Sequence, residues 1–383
     1  MGSTSMSHNF NTSALNTTAL NSLLQEAVDS GIPGISVAIA NSESLLWTGV
    51  AGKADLITNS PVQADHLFGI GSITKTFVAV IILQLVEEGS LSLDKTAVDI
   101  LGDEVAGRVP NAELATIAQL LNHTGGIPSW EDDPLWVKEG RGAEQQVNRL
   151  WTPEQTLPYI EHSPVMNAAG EKYAYANTNH TLLGLIIEKV TGNKIVDVIH
   201  QRILKPLNLS DIYLEGFQAV PSERLSKRYH YSTPEFKSNA GIHSSFPEVR
   251  EGLIDVSTSN LSVEWAAGGM VASASDLARY AAALQAGQLL QPQSMSFVKD
   301  WFPIKQDQEI GHGVFRVRTQ AGYNLLGHMG AVLGYTASMQ WFEDKDLSMV
   351  VLANVGTMHI GQSLPNAATL AYQEKFLELV SVV

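Results

Sequence analysis

The chain changes along its length between hydrophobic patterns of helical period and patterns typical of strands. Apolar residues recur at helical spacing over 18–29 and over 74–88, which predicts two helices that end at Gly31 and Gly89. Between them, two β-rich runs flank the turn 41–44 and predict a hairpin. The first 90 residues are therefore predicted to form a helix, a β-hairpin and a second helix.

The last third of the chain has a different pattern. The segment "SASDLARYAAALQAG" predicts a helix with Ser275 as its cap. Four short strand-like runs follow, separated by turn residues: "HGVFRVRT", "YNLLGHMG", "YTASMQWFE" and "SMVVLANV". An amphipathic helix is expected over 363–383.

This distribution predicts an α/β (α+β) protein with two lobes. Residues 90–260 hold helical patterns and loops but few strong strands, whereas both ends are β-rich. We therefore expect one α/β lobe built from 18–75 and 265–383, and a mostly helical lobe inserted over 76–264. A catalytic cleft would lie between the two lobes.

Composition narrows the classes of function. A formal net charge of -15 argues against nucleic acid or an anionic membrane as a partner. The longest apolar run, 77–86, is too short to span a bilayer, which takes about 20 helical residues. There are no cysteines and no H-E-x-x-H motif, and the 11 histidines are scattered, so we expect no metal and no cofactor.

The first residues leave the compartment open. The start "MGSTSMSHNFNTS" is polar and has no secretory leader pattern. Methionines at positions 1 and 6 suggest an added segment before Met6. The sequence is thus compatible with a periplasmic or secreted protein whose leader was removed, or otherwise with a cytoplasmic one.

Three short motifs carry candidate chemistry. In "FGIGSITKTFVAV", Ser72 and Lys75 lie three apart at the start of a helix, so the amine can reach the serine oxygen. Serine becomes a useful nucleophile when a neighbouring base takes its proton. Alone, the pair also fits a helix-start serine and a surface lysine.

The second motif is in "GEKYAYANTNH". Tyr175 and Asn177 are two apart and would point the same way in an extended segment, with Tyr173 as a weaker rival for the tyrosine. A tyrosine there could relay a proton, and the asparagine could hold Lys75 and a substrate carbonyl.

The third motif is "GHMGAVLGY". His328 and Gly330 fit a strand that a substrate backbone approaches closely. The backbone N–H groups of Ala331 and Ser72 would together form an oxyanion hole.

With these motifs in this order, the chain resembles the serine β-lactamase-like hydrolases of the β-lactamase/penicillin-binding-protein fold, which include D-Ala-D-Ala carboxypeptidases, class C β-lactamases, D-aminopeptidases, D-amino acid amidases and family VIII esterases. The resemblance covers S-x-x-K, Y-x-N and H-x-G, the last in place of K-T-G. The segments "LLNHTGGIP", "ILKPLNLSD" and "EWAAGGMVASASDLARY" are also similar to family ones. The resemblance implies an antiparallel sheet flanked by helices, with a mostly helical lobe inserted.

The resemblance also implies roles. Ser72 would be acylated, Lys75 and Tyr175 would share the acid and base work, and the division between those two stays open. Asn177 would orient the site, and His328 would replace the lysine of β-lactamases.

Two substrate-binding residues also come from the resemblance. Trp265 resembles an aromatic wall of the cleft. Arg316, or else Arg318, would grip a substrate carboxylate if its side chain points inward.

The implied function is a D-stereospecific peptidase or amidase that forms an acyl-enzyme. Its partners would be small molecules or short peptides with a D-residue, and β-lactams would be covalent ligands. Alternatives are a carboxylesterase, a weak β-lactamase, an acyl transferase using the same site, or a non-hydrolytic penicillin-binding protein.

Overall fold

The computed structural model describes residues 15–361 and 369–381. Its helices, in chain order, are α1 Thr17–Asp29, α2 Thr74–Glu87, α3 Ala97–Leu101, α4 Ile117–Leu121, α5 Pro134–Trp136, α6 Asn177–Thr191, α7 Ile195–Ile199, α8 Pro234–Asn239, α9 Trp265–Gly268, α10 Ala274–Gln285, α11 Pro292–Val298 and α12 Thr369–Ser381. Shorter turns of 3₁₀ type cover Gly71–Ile73, Trp130–Asp132 and Pro153–Ile160, and π-type turns cover Val137–Arg141 and His200–Leu204.

The strands are β1 Gly34–Ala40, β2 Leu45–Asp55, β3 Ser60–Pro61, β4 Phe68–Gly69, β5 Ile212–Leu214, β6 Tyr229–Tyr231, β7 Glu248–Arg250, β8 Leu253–Asp255, β9 Met270–Ala272, β10 Phe302–Lys305, β11 Gln308–Ile310, β12 Phe315–Arg318, β13 Asn324–Val332, β14 Tyr335–Phe342, β15 Ser348–Ala353 and β16 Val355–Gly356.

The largest sheet of the described residues joins both ends of the chain. Its nine strands run in the order β10-β11-β12-β13-β14-β15-β1-β2-β3, and neighbouring strands are antiparallel. The first strand, β1, pairs with the late strand β15 on one side and with β2 on the other. Two smaller sheets, β16-β6-β8-β7 and β4-β9-β5, complete the described strands.

Alternate residues of β1 face two different cores. Ile35, Val37 and Ile39 pack in a core with apolar residues of α1 and α12. Ala38 and Ala40 face the larger core, which contains α2, α6 and α10. Because side chains alternate across a strand, a strand of a sheet that is covered on both faces is buried at every position, as β1 is.

Two helices of the larger core bring the motifs together. In α2 and α6 most residues are buried, on every side of the helix, which marks them as core helices rather than surface helices. They pack against each other. The start of α2 carries the S-x-x-K segment and the start of α6 carries Asn177, so their N-terminal ends place both motifs at one point.

The fold class expected from the sequence is confirmed, since helices flank an antiparallel sheet. The two early helices, the first hairpin and the four late strands also lie where predicted. The lobe boundaries at 75/76 and 264/265 stay a prediction. No described helix combines the length and the apolar character needed to cross a membrane.

The predictions for the cap of α10 and for the C-terminal helix have different outcomes. The cap of α10 is Ser273, not Ser275, because the Ser273 side chain accepts from the Asp276 backbone N–H. The expected terminal helix 363–383 is present as α12, while residues 362–368 and 382–383 lie outside the described residues, as do residues 1–14.

Candidate active site

Ser72 lies in the tight turn that leads into α2. The preceding Gly71 has φ +51°, a left-handed conformation that favours glycine. A Cβ on Gly71 would lie 2.7 Å from the backbone nitrogen of Ala331. Glycine thus lets the turn approach β13 closely enough for a ligand atom to contact both segments.

Lys75 lies one helical turn after Ser72 and is fully buried. Its Nζ is 2.9 Å from Ser72 Oγ, 2.7 Å from Asn177 Oδ1 and 2.6 Å from the Ala267 carbonyl oxygen. Burial lowers the pKa of Lys75 to about 7, which outweighs the carboxylates of Glu131 and Glu264 that favour its charged form. The amine can therefore lose its proton near neutral pH.

These three contacts fit a neutral amine. Such an amine has two N–H groups and one lone pair, and the oxygens of Asn177 and Ala267 can only accept. Both N–H groups are therefore donated to those oxygens, and the lone pair remains for the Ser72 hydroxyl proton. The geometry allows Lys75 to act as the base for Ser72.

Tyr175 contacts the same serine oxygen. Its hydroxyl donates to Ser72 Oγ at 2.7 Å, and burial raises the pKa of Tyr175 well above its ordinary value. The ring stacks on His123 with 4.3 Å between centroids, and His123 Nδ1 accepts from the Ala176 N–H. Tyr173 lines the same cavity, but Tyr175 makes the bond to Ser72.

Behind Lys75 lies a buried group of charges from separate segments. Asn177 Nδ2 donates to the Glu131 carboxylate. Arg141 donates to Glu131 at 2.9 Å and to Glu264 at 2.7 Å, and both Arg141 and Glu264 are buried. Motif spacing gave no sign of these three charged residues.

The strand β13 presents its edge to Ser72. Pairing of β12 with β13 stops at Gly327, whereas β13 continues to Val332, so the stretch from His328 onward has no partner on that side among the described strands. A Cβ on Gly330 would lie 1.9 Å from the Ile70 carbonyl oxygen. Only glycine fits there, and the close approach brings the Ala331 N–H beside the Ser72 turn, as an oxyanion hole requires.

His328 lines the cavity on the same strand. Burial lowers the pKa of His328 to about 3, and the nearby Lys75 acts in the same direction. Its Nδ1 lies 2.6 Å from the Met329 carbonyl oxygen, which places a proton on Nδ1. His328 is thus a neutral imidazole at any ordinary pH, with Nε2 as an acceptor.

A cavity of about 420 Å³ opens at Ser72. Apart from glycines, its lining is mostly apolar and aromatic, and it consists of Ser72, Glu131, Tyr173, Tyr175, Gln308, Phe315, Val317, Leu325, His328, Met329, Ala331, Thr336, Gln340, Thr357, Met358 and Ile360. Within the described lining, Glu131 is the one charged residue, and it is an anion. The cavity thus favours apolar groups and does not offer a surface cation.

Residues 357–361 form one wall of the cavity. Met358 and Ile360 line the cavity. His230 Nε2 donates to the Met358 carbonyl oxygen at 2.9 Å, and the Thr233 hydroxyl donates to the Ile360 carbonyl oxygen at 2.9 Å. Between them, Arg141 donates to His359 Nε2 at 3.0 Å. The wall is therefore tied to the protein at three consecutive residues.

Arg316 lies outside this cavity. Phe315 and Val317 face inward from β12, so Arg316 and Arg318 point to the other face of the sheet. Arg316 is paired with Glu309 there. The expectation that Arg316 grips a substrate carboxylate does not agree with this placement.

Trp265 is likewise not part of the cavity wall. It is 2% exposed and packs against Gly184 of α6, where a Cβ would lie 2.6 Å from its ring. Its φ of +39° is unusual for a residue other than glycine. The buried ring anchors α9, whose Ala267 supplies the carbonyl that holds Lys75.

A protein-family model described as Beta-lactamase matches residues 20–372. The chain belongs to the beta-lactamase family. The sequence resemblance to that family is thereby confirmed, and the relatives with assigned activities are hydrolases. Among the described residues, no group of three or more His, Asp or Glu side chains is arranged to hold a metal ion.

Several similar proteins of the beta-lactamase family have named activities. Esterase EstB of Burkholderia gladioli is 26% identical over 357 residues, which cover 87% of this chain and 88% of EstB. The D-amino acid amidase of Ochrobactrum anthropi SV3, solved with D-phenylalanine, is 25% identical with a TM-score of 0.82, over 95% of this chain and 99% of its own. A D-stereospecific amidohydrolase from Streptomyces sp. is 29% identical with a TM-score of 0.76, over 88% of this chain and 94% of its own.

Proposed function

We propose that this chain is a serine hydrolase that forms an acyl-enzyme at Ser72 and cleaves amides or short peptides of D-amino acids. The observation that carries the proposal is the meeting of Lys75 Nζ and Tyr175 OH at Ser72 Oγ, beside a cavity whose described lining includes no cation.

In the acylation step, Ser72 Oγ attacks the substrate carbonyl carbon and passes its proton to Lys75. The backbone N–H groups of Ser72 and Ala331 hold the negative oxygen that forms. The C–N bond then breaks as the leaving nitrogen takes a proton from Tyr175, which regains one from Lys75. Ammonia or an amine leaves, and the acyl group stays on Ser72.

In the second step, water attacks the ester carbonyl and gives its proton to Lys75, which is neutral again after acylation. The bond between the acyl carbon and Ser72 Oγ breaks, and the serine oxygen takes a proton back. The product is the free acid, and the site returns to its starting state.

The charge of the cavity favours an amino acid amide over a β-lactam. Glu131 lines the cavity, while Arg316 and Arg318 lie on the other face of the sheet. An α-ammonium would be attracted by Glu131, whereas a substrate carboxylate would meet no opposite charge in the described lining. The apolar side chains of Phe315 and Met358 suit an aromatic or aliphatic substrate side chain.

The preference for the D-enantiomer is supported by the two amidohydrolase relatives, which are D-specific by name. A carboxylesterase is the second candidate, because EstB matches most of this chain and esters react by the same steps.

One panel tests these candidates: D- and L-phenylalanine amide, a D-Ala-D-Ala peptide, nitrocefin and a short-chain p-nitrophenyl ester under identical conditions. We expect D-phenylalanine amide to have the highest kcat/KM of the amides, peptide and β-lactam. Turnover of the ester alone would favour the esterase, and a preference for nitrocefin would contradict the reading of the cavity charge.

A further inference from the structure

Arg141 lies beneath the reacting groups without touching the cavity. It is 1% exposed and donates to Glu131, Glu264 and His359 at 2.9, 2.7 and 3.0 Å. Two of these partners, Glu131 and His359, adjoin the cavity or its wall. A buried cation with three acceptors is held in one orientation, because each N–H group has a fixed direction.

A continuous chain of hydrogen bonds links this guanidinium to Ser72. Lys75 Nζ contacts Ser72 Oγ and donates to Asn177 Oδ1, and Asn177 Nδ2 donates to Glu131. An ionised carboxylate only accepts, so Glu131 requires the amide nitrogen of Asn177 on its own side. The amide oxygen of Asn177 must then face Lys75, which is the orientation that leaves the amine lone pair for Ser72.

The charges around Lys75 come from several elements. The groups that face it are the carboxylates of Glu131 and Glu264, the guanidinium of Arg141, the phenol of Tyr175 and the neutral imidazoles of His123, His180 and His328. Two buried carboxylates next to an amine favour its protonated form, which has no lone pair for Ser72. Arg141 is the one fixed positive charge of this group and offsets one carboxylate.

We propose that Arg141 is a positioning residue of this site: it holds Glu131 against Asn177 and balances the carboxylates beside Lys75, so that the amine can take the proton of Ser72. The inference rests on the proposed function, in which Lys75 is the base. Arg141 touches neither Ser72 nor the cavity and acts through these partners.

The test measures the rate at which a fluorophosphonate labels Ser72 over a range of pH. This probe has no titrating group and does not depend on the natural substrate. In Arg141→Met the midpoint of the acid limb should move up by about one pH unit, since a nearby charge shifts a pKa by that order, so that labelling at pH 7 falls about fivefold. In Glu264→Gln the midpoint should move down, because a charge that favours the ammonium is gone.

A conservative variant separates charge from geometry. Arg141→Lys keeps the positive charge but cannot make the same three bonds. Its midpoint should stay near that of the wild type, while the labelling rate is lower at every pH. If Arg141→Met does not fold, the Glu264→Gln shift and the Arg141→Lys profile still decide the question.

Arg228 provides a matched control outside the site. It is also buried and makes a two-pronged pair with Glu215. Arg228→Met should lower thermal stability and leave the midpoint unchanged. The inference is overturned if wild-type Ser72 is labelled but Arg141→Met and Glu264→Gln move the midpoint in the same direction, or not at all. A wild-type protein that is not labelled at Ser72 would instead overturn the proposed function itself.

Discussion

Tyr175 and Ser72 are joined by a hydrogen bond of 2.7 Å in which the phenol is the donor. Burial raises the pKa of Tyr175 well above its ordinary value, whereas burial lowers that of Lys75 to about 7. Above pH 7 the phenol therefore keeps its proton, and the amine is free to accept the one that Ser72 loses. The sequence left the division of work between the two residues open, and this difference supports the one we propose, with Lys75 as the base and Tyr175 as the proton donor.

The two residues should act as one unit. Tyr175→Phe and Lys75→Ala are each expected to slow acylation by about 10²–10⁴-fold, the usual range for a positioned acid or base. The rate of the double variant should fall by much less than the product of the two single effects, because either substitution alone already interrupts the shared proton transfer. Single-turnover rates measure this. Multiplicative losses would mean that Lys75 and Tyr175 work independently.

The rate should depend on pH through Lys75. The protonated amine cannot accept the Ser72 proton, so kcat/KM should fall as the pH drops below about 7, the pKa of Lys75, and should level off above it. A p-nitrophenyl ester is the suitable substrate because it does not titrate in this range. In His328→Asn the rate is expected to change but the midpoint is not, since His328 is already neutral. If His328→Asn moved the midpoint, the fall in kcat/KM at low pH would be due to protonation of the imidazole and not of Lys75.

Ser72 should be the residue that is covalently modified. Incubation with a fluorescent penicillin or a fluorophosphonate, followed by peptide mass spectrometry, should place the adduct on Ser72 alone. Ser72→Ala should abolish labelling and turnover. Ser296→Ala, which changes an exposed serine of α11, serves as the control and should label normally. An adduct elsewhere would disprove the assignment.

His328 should influence the choice between neutral and anionic substrates. His328→Lys adds a cation to a cavity whose described lining has none, and should shift the ratio of β-lactam to D-amide turnover toward the β-lactam. The effect should be about 1.5–3 kcal/mol, as for a hydrogen bond to a charged group. Arg316→Ala should leave the ratio unchanged because Arg316 faces away from the cavity. An unchanged ratio in His328→Lys would refute the argument.

Gly330 should not tolerate a side chain. In Gly330→Ala the new Cβ would lie 1.9 Å from the Ile70 carbonyl oxygen and would push β13 away from the Ser72 turn. Labelling of Ser72 should be slow even where circular dichroism shows a folded protein. Gly268→Ala is the matched variant nearby, since its Cβ would lie 3.4 Å from Gly71, an ordinary contact. Normal labelling of Gly330→Ala would show that the close approach is not needed.

Local patterns predicted much of this molecule. The helices α1 and α2, the first hairpin and the strands β12 to β15 follow from periodicity and turn residues, because each depends on neighbouring positions. The motif residues Ser72, Lys75, Tyr175 and Asn177 do meet at one point. Their order along the chain was sufficient to propose a common site.

Long-range packing explains what the sequence did not show. Arg141 and Glu264 are 123 positions apart, and no local spacing connects them. Trp265 looked like a cleft residue but has a left-handed backbone that turns its ring into the core. The prediction for Arg316 depended on the strand register, because the register decides which face of the sheet a side chain takes. A sequence alone leaves that register uncertain by one residue.

The pairing of β1 with β15 has a consequence for biosynthesis. Ser42 and Asp346, which hydrogen-bond beside the ends of these strands, are 304 positions apart. At about 5–20 residues per second, a ribosome needs roughly 15–60 s after making β1 to supply its partner. During that interval β1, which is buried throughout in the folded protein, has no β15 to pair with on the nascent chain. The Ser72 site, which also needs β13, is incomplete until Asn324–Val332 has been made.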